Sequence, residues 1–299
     1  MRKLLFSNHR LARYFISFFL LFVLMPYRAG AYHGSDQKPV SSFGESFLDA
    51  GGRLGEALLD DGSYLFRSVF NDVGDILKAP FERDEIVSTK NILTGALLLG
   101  SVPATIYGLD NPIRRNVRNM NDETADVLRN VGLGATLGGL GLVYGWGVYS
   151  RNDEARHVVL TGMEGMGVAS LLGLGAKAAF GRNRPRDGDG PQAFFKGGDS
   201  FPSGQSTLAF AAATALSEGF NDRWWAAVPA YSLALMTGIG RIGKDAHWAS
   251  DVLASALIGV GTTKLFFYLH RERDVPSSLV ITPMVTERGA LGASFNFSW

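Results

Sequence analysis

The chain has no cysteine in its 299 residues. That excludes disulfides, thiolate catalysis and cysteine-based metal sites. Its absence is compatible with an oxidising compartment but does not establish one. Charge is also sparse. Charged residues make up 19% of the chain against 46% hydrophobic, which excludes a disordered polymer and fits a globular or membrane-leaning protein. No cluster of excess basic charge is present, so the electrostatic footprint of a nucleic-acid binder is missing. With only 5 histidines and no histidine-rich cluster, there is little material for a metal site.

The N-terminus reads as an export signal. Arg2, Lys3, Arg10 and Arg13 form a basic region, Tyr14 to Tyr27 is almost wholly apolar, and Ala29-Gly30-Ala31 has the small-x-small form of a cleavage site. The apolar run is 14 residues, short of the roughly 20 that a spanning helix needs; an uncleaved anchor is the alternative. Residues 1–31 hold five basic side chains and no acid. Their removal turns 29 basic and 28 acidic side chains into 24 and 28, a net charge of −4. The expected destination is the cell envelope, in the periplasm or a membrane facing it.

Four regions follow from pattern: a signal (1–31), a linker with amphipathic helices (32–88), a helical domain (89–272) and a C-terminal β-hairpin (273–299). Between Phe43 and Leu77, Leu54, Leu58, Leu59, Leu65 and Val69 recur at helical spacing with acids opposite. This predicts surface helices packed by their apolar side, with an interfacial membrane helix as the alternative. Six apolar segments come next, at 90–108, 128–149, 155–178, 204–219, 223–239 and 249–269, joined by turn-rich connections such as Asp110-Asn111-Pro112. The second is dense in glycine (Gly132, Gly134, Gly138, Gly139, Gly141), which allows close helix contact. The fourth is short for a membrane span. Soluble and membrane-embedded forms both remain open, with a lean to the membrane. Leu291, Ala293, Phe295, Phe297 and Trp299 alternate with small or polar residues, and Leu279 to Thr286 can pair with them. A hairpin covering the bundle is expected; a terminal outer-membrane strand is the alternative, since two strands cannot close a barrel.

Three stretches carry chemistry: KAAFGRNRP from Lys177, FPSGQST from Phe201 and RIGKDAHWASD from Arg241. Lys177, Arg184 and Arg241 supply a point charge and two planar forks suited to phosphate. Arg182 and Arg186 flank them and tune the local potential. Ser203-Gly204 is expected at the start of a helix, where backbone N–H groups attract anions; Ser is also a favoured N-cap. His247 and Asp251 are spaced i, i+4, which puts them on one face of a helix, where a carboxylate can fix an imidazole's tautomer. A plain surface hydrogen bond or half a metal site would use the same spacing.

The pattern K-x6-RP, PSG, R-x5-H-x3-D resembles the type 2 phosphatidic acid phosphatase superfamily, which includes lipid phosphate phosphatases, bacterial class A acid phosphatases and vanadium haloperoxidases. Lys177, Arg184 and Pro185 match its first motif, Pro202, Ser203 and Gly204 its second, and Arg241, His247 and Asp251 its third. Gly240 replaces the usual Ser, and Gln205 stands where the family has His. The resemblance covers about residues 90 to 270. It implies an all-α fold with a six-helix core bundle, His247 as a nucleophile forming a phosphohistidine, Asp251 as its orienting partner, and no cofactor. It places Gln205 where a general acid belongs, and a glutamine exchanges no proton. Asp199 and Lys244 are near enough in sequence to name as substitutes. The implied function is an exported phosphatase acting on a monoester or diphosphate, lipid- or envelope-linked. The alternative is a catalytically impaired phosphate binder or scaffold; vanadate-dependent halide oxidation ranks last. The implied partners are a phosphorylated lipid or small molecule and the membrane, with no nucleic acid and the oligomeric state open.

Overall fold

The computed structural model describes residues 52–62, 64, 65, 68, 89–271, 279–285 and 291–297. The export signal and the linker at 32–42 lie outside them. In chain order the elements are α1 (52–62), α2 (Thr89–Gly108), α3 (Asp110–Val117), α4 (Asp122–Ser150), α5 (Asp153–Phe180), a one-turn 3-10 helix (Pro185–Asp187), α6 (Gly204–Gly219), α7 (Trp224–Gly243) and α8 (Ala249–Arg271). Strands β1 (Leu279–Val285) and β2 (Leu291–Phe297) form an antiparallel pair in which Leu279 faces Phe297 and Val285 faces Leu291. Among the described residues the fold is all-α with this terminal hairpin, and the six apolar segments are long helices there.

Local chemistry sets the helix ends. Asn121 accepts a hydrogen bond from the Thr124 N–H and so starts α4 six residues before its apolar run begins. Asn152 does the same for α5 through Ala155 N–H. Gly181, at φ +47, closes α5 in the left-handed conformation that glycine adopts cheaply. One helix escaped the pattern. Asp110-Asn111-Pro112, read as a connection, is the first turn of α3, where the proline's missing N–H costs nothing.

The short segment that looked least like a span is the centre of the bundle. α6 packs against α4, α5, α7 and α8, and Ser206 to Glu218 are buried almost without exception. A helix sheathed by others needs small apolar residues all round, and its sequence is rich in alanine. Its neighbours approach closely: a Cβ on Gly259 of α8 would come within 2.7 Å of the Thr207 carbonyl oxygen. Gly132 of α4 plays the same part against α7, its Cβ position lying 2.4 Å from Leu233 O. Three others of that run behave differently. Gly134, Gly138 and Gly141 have nothing within 4 Å, so close contact explains only part of the pattern.

α1 reverses its expected orientation. Asp61, assigned to the solvent side, is buried and pairs with Arg156 and the Tyr144 hydroxyl, whereas Leu58 and Leu59 are 57% and 78% exposed. Arg156 and Tyr144 offer a charge-assisted anchor that outweighs the apolar side.

Contacts between helix ends show that the long helices alternate in direction: Arg182, just past α5, meets Asp110, just past α2, and Asp251, at the start of α8. The 108–122, 181–203 and 243–249 segments therefore gather at one end of the bundle. α1 and Arg156 sit at the other end, about 30 Å from Lys177 along α5 at 1.5 Å per residue. Three helical segments, Asp122–Ser150, Asp153–Asp187 and Ala249–Arg271, are long and apolar enough to cross a membrane. Leu97, Leu99, Leu142, Leu171 and Leu174 are exposed along these helices and their neighbour α2.

Candidate active site

The end of the bundle that collects the loops also collects the three motif stretches. Lys177 comes from the last turn of α5, and its Nζ donates to the carbonyl oxygens of Asp199 and, at 2.6 Å, Pro202. Ser203 is the N-cap residue of α6 and fully buried, but its Oγ meets Ser206 Oγ at 3.0 Å rather than a backbone N–H. Gly204 opens the helix, and a Cβ there would meet nothing within 4 Å, so no protein contact demands glycine. Arg241 lies in the last turn of α7.

His247 is not on a helix. It sits in the bend before α8, which starts at Ala249, so the i, i+4 spacing to Asp251 is not helical geometry. Its Nδ1 lies 2.7 Å from the Ser200 carbonyl oxygen and 3.6 Å from Asp251 Oδ2. A carbonyl oxygen only accepts, so Nδ1 carries the proton. Burial holds the imidazole below its ordinary pKa, with the charges of Arg241 and Lys177 acting in the same direction and Asp251 opposing. The ring is then neutral at pH 7 and its Nε2 lone pair is free for attack. Asp251 stands beyond hydrogen-bond reach as a charge partner.

Asp251 has other obligations. It accepts from Ser200 Oγ and, at 2.8 Å, from the Trp248 N–H, which is the N3-to-N-cap half of a capping box on α8. Its second oxygen takes Nη1 of Arg182. Arg182 is fully buried and bridges two carboxylates, Asp251 and Asp110, the latter at 2.7 Å. Asp110 in turn accepts from the N–H and Oγ of Ser250, at 2.8 and 2.6 Å. Phe194 and Trp248 flank the guanidinium, with ring centroids 4.7 and 5.4 Å away. Burial pushes the Asp110 carboxyl up, while Ser250 and Arg182 pull it down. Arg182 is thus a structural tie between α3, the α5 exit and α8, not an outlying charge that tunes the potential.

The remaining cations are less well matched. Both arms of the Arg184 fork engage Asp199, at 2.7 and 2.5 Å. This pair holds the Asp199 carboxyl below its usual range, which makes Asp199 a poor proton donor. Lys244 pairs with Asp126 and Asp122 of α4 and does not join the site. Arg241 has its Nε buried with no protein partner. Burial first, and then the repulsion of Arg184, Arg129 and Arg186, push its guanidinium down to about 10. Gln205, in the first turn of α6, has its Oε1 buried and equally unpartnered. Among the described residues, no group of three or more His, Asp or Glu is placed to hold a metal ion.

Residues 159–274 match the family model described as PAP2 superfamily. These residues form a type 2 phosphatidic acid phosphatase superfamily domain. The match covers the three motif stretches and the core helices α6 to α8. Over 185 residues, 60% of this chain, the protein is 30% identical to a Porphyromonas gingivalis protein named lipid A 1-phosphatase, and the alignment covers 39% of that protein. The chain thus spans about two fifths of the relative's length. No solved structure matches significantly.

The PAP2 domain brings together Lys177, Arg184, Ser203, Gly204, Arg241, His247 and Asp251 around one loop cluster. Sequence reading passed over Asp110, Ser200 and Ser250 and undervalued Arg182. Arg182 was not set apart locally, since it stands beside Asn183, Arg184 and Arg186 in a polar, basic stretch. Nothing local marked Asp110, because its partner lies 72 positions away.

Proposed function

We propose that this protein is a phosphatase of lipid-linked phosphate, working at a membrane face through a phosphohistidine on His247. The observation that carries the reading is Arg241. Its Nε is buried without a protein acceptor, and its charge is opposed by neighbouring arginines. A phosphoryl group supplies both the acceptor and the balancing charge. Lys177 and Arg184 complete the clamp, the substrate displacing Asp199 from Arg184, and the N–H groups opening α6 stabilise the charge that develops on phosphorus oxygens. His247 Nε2 attacks in line, while Nδ1–H stays on Ser200 O and Asp251 supports the growing positive charge. The aromatic cluster of Phe180, Phe194, Phe195 and Phe201 borders Lys177 and Pro202 in the chain, and Phe195 is 78% exposed. Beside a cationic clamp, it suits an amphiphile with an anionic head. The named relative and the three apolar helices support the same substrate class.

Purified full-length protein should release phosphate from a phosphatidic acid, an isoprenyl diphosphate or 4-nitrophenyl phosphate, and His247→Ala should abolish release with an unchanged circular dichroism spectrum. Hydrolysis that survives in His247→Ala would sink the mechanism. A second reading, a phosphate binder with little turnover, is favoured by Gln205 and by the ionised state of Asp199. It predicts phosphate binding without product, and no gain in Gln205→His.

A further inference from the structure

Gln205 occupies the position where proton transfer is expected, yet its buried atom is an acceptor. Oε1 is out of solvent contact and has no protein donor. Buried acceptors are costly unless something donates to them. Two moments of the reaction could use this spot. In the first, the leaving oxygen departs from the side of phosphorus opposite His247 Nε2. In the second, after phosphohistidine has formed, a water molecule enters at the same apical position. An acceptor works against the leaving oxygen, which gains negative charge. It works for the water, whose O–H must be held so that a lone pair faces phosphorus.

We infer that Gln205 orients the attacking water in the dephosphorylation step and gives no help to the leaving group. The role is the one a glutamine plays in GTP-hydrolysing switch proteins. The inference rests on the phosphohistidine reading above. The water's O–P bond forms as the P–Nε2 bond breaks; Nε2 leaves with the electron pair of that bond while Nδ1 keeps its proton, and the water's proton passes to a non-bridging oxygen of the phosphate. His247 returns to its neutral form and inorganic phosphate leaves. No further acid or base is needed in this step. The first step then depends on the substrate alone. The enzyme is selective for leaving groups that depart unprotonated, such as the phosphate of a diphosphate, over simple alkyl alcohols.

The test is rapid-mix kinetics on the full-length protein in detergent, with 4-nitrophenyl phosphate and an alkaline quench for labelled phosphohistidine. Gln205→Leu should keep the wild-type burst rate of nitrophenol but slow the steady state by about tenfold or more, so that acid-labile phosphate accumulates on the enzyme. Gln205→Asn, which keeps the amide one methylene further back, should give an intermediate decay rate. Protection of either variant against heat by vanadate establishes that the clamp is folded. A slowed burst in Gln205→Leu would assign the amide to the leaving group and overturn the inference, as would unchanged burst and decay. A wild type that yields neither product nor label would overturn the phosphatase reading and this inference with it, whereas a wild type that turns over isolates the failure to Gln205.

Discussion

Two groups of charge lie side by side at the loop end of the bundle, and they are built on opposite terms. The knot of Arg182, Asp110, Asp251, Ser200 and Ser250 is buried and closed on itself: each charged group in it has a partner of opposite sign. The clamp of Lys177, Arg184 and Arg241 is partly open. Lys177 spends its donors on carbonyl oxygens, Arg184 is held by a largely exposed carboxylate, and Arg241 has an orphaned Nε. The first arrangement fixes backbone from three distant parts of the chain. The second keeps charge in reserve. Satisfied charge makes scaffold, and unsatisfied charge makes a binding site.

The contrast breaks most visibly at Arg182. Arg182→Met leaves two buried carboxylates without their cation and should cost about 3–5 kcal/mol, read as a fall in the unfolding midpoint in detergent. Arg241→Met should do the reverse: the midpoint stays or rises, while vanadate or phosphate affinity drops about 10- to 100-fold, the worth of one charge-assisted hydrogen bond. Equal stability losses in the two variants would erase the distinction. Asp199→Asn sharpens it further. Freed from the carboxylate, Arg184 should bind inorganic phosphate severalfold more tightly, seen as stronger product inhibition; weaker binding would mean that Asp199 positions the fork rather than competing for it. The smallest effect is in pH. Burial lowers the folded-state pKa of His247 from its ordinary 6.5, so below that value the unfolded chain binds the extra proton. Stability should decline as pH falls through the ordinary imidazole range, and less steeply in His247→Gln.

Periodicity made the six long helices legible, and the family resemblance implied that they form a bundle. Spacing made the motifs legible, since Lys177, Arg184, Arg241 and His247 all gather at one end. What escaped the sequence was long-range charge. Asp110 reads as a turn residue until α8 is placed against it, and Asp61 reads as solvent-facing until Arg156 arrives from 95 positions away. The helical reading of His247 failed for a related reason. Asp251 caps the helix that the histidine precedes, and the capping contact to Trp248 N–H pulls His247 into the bend. Spacing alone does not separate a cap from a helical face.

The alternating helix directions have a consequence for how the protein must be made. Lys177, Gln205, Arg241 and His247 all lie at one end, and α1 marks the other. On the proposed function, with the three apolar segments set across a bilayer, the phosphate released would always return to a single compartment. Insertion orientation is therefore as decisive as any side chain. A copy threaded the wrong way round would keep every bond described here and still meet the wrong pool of substrate.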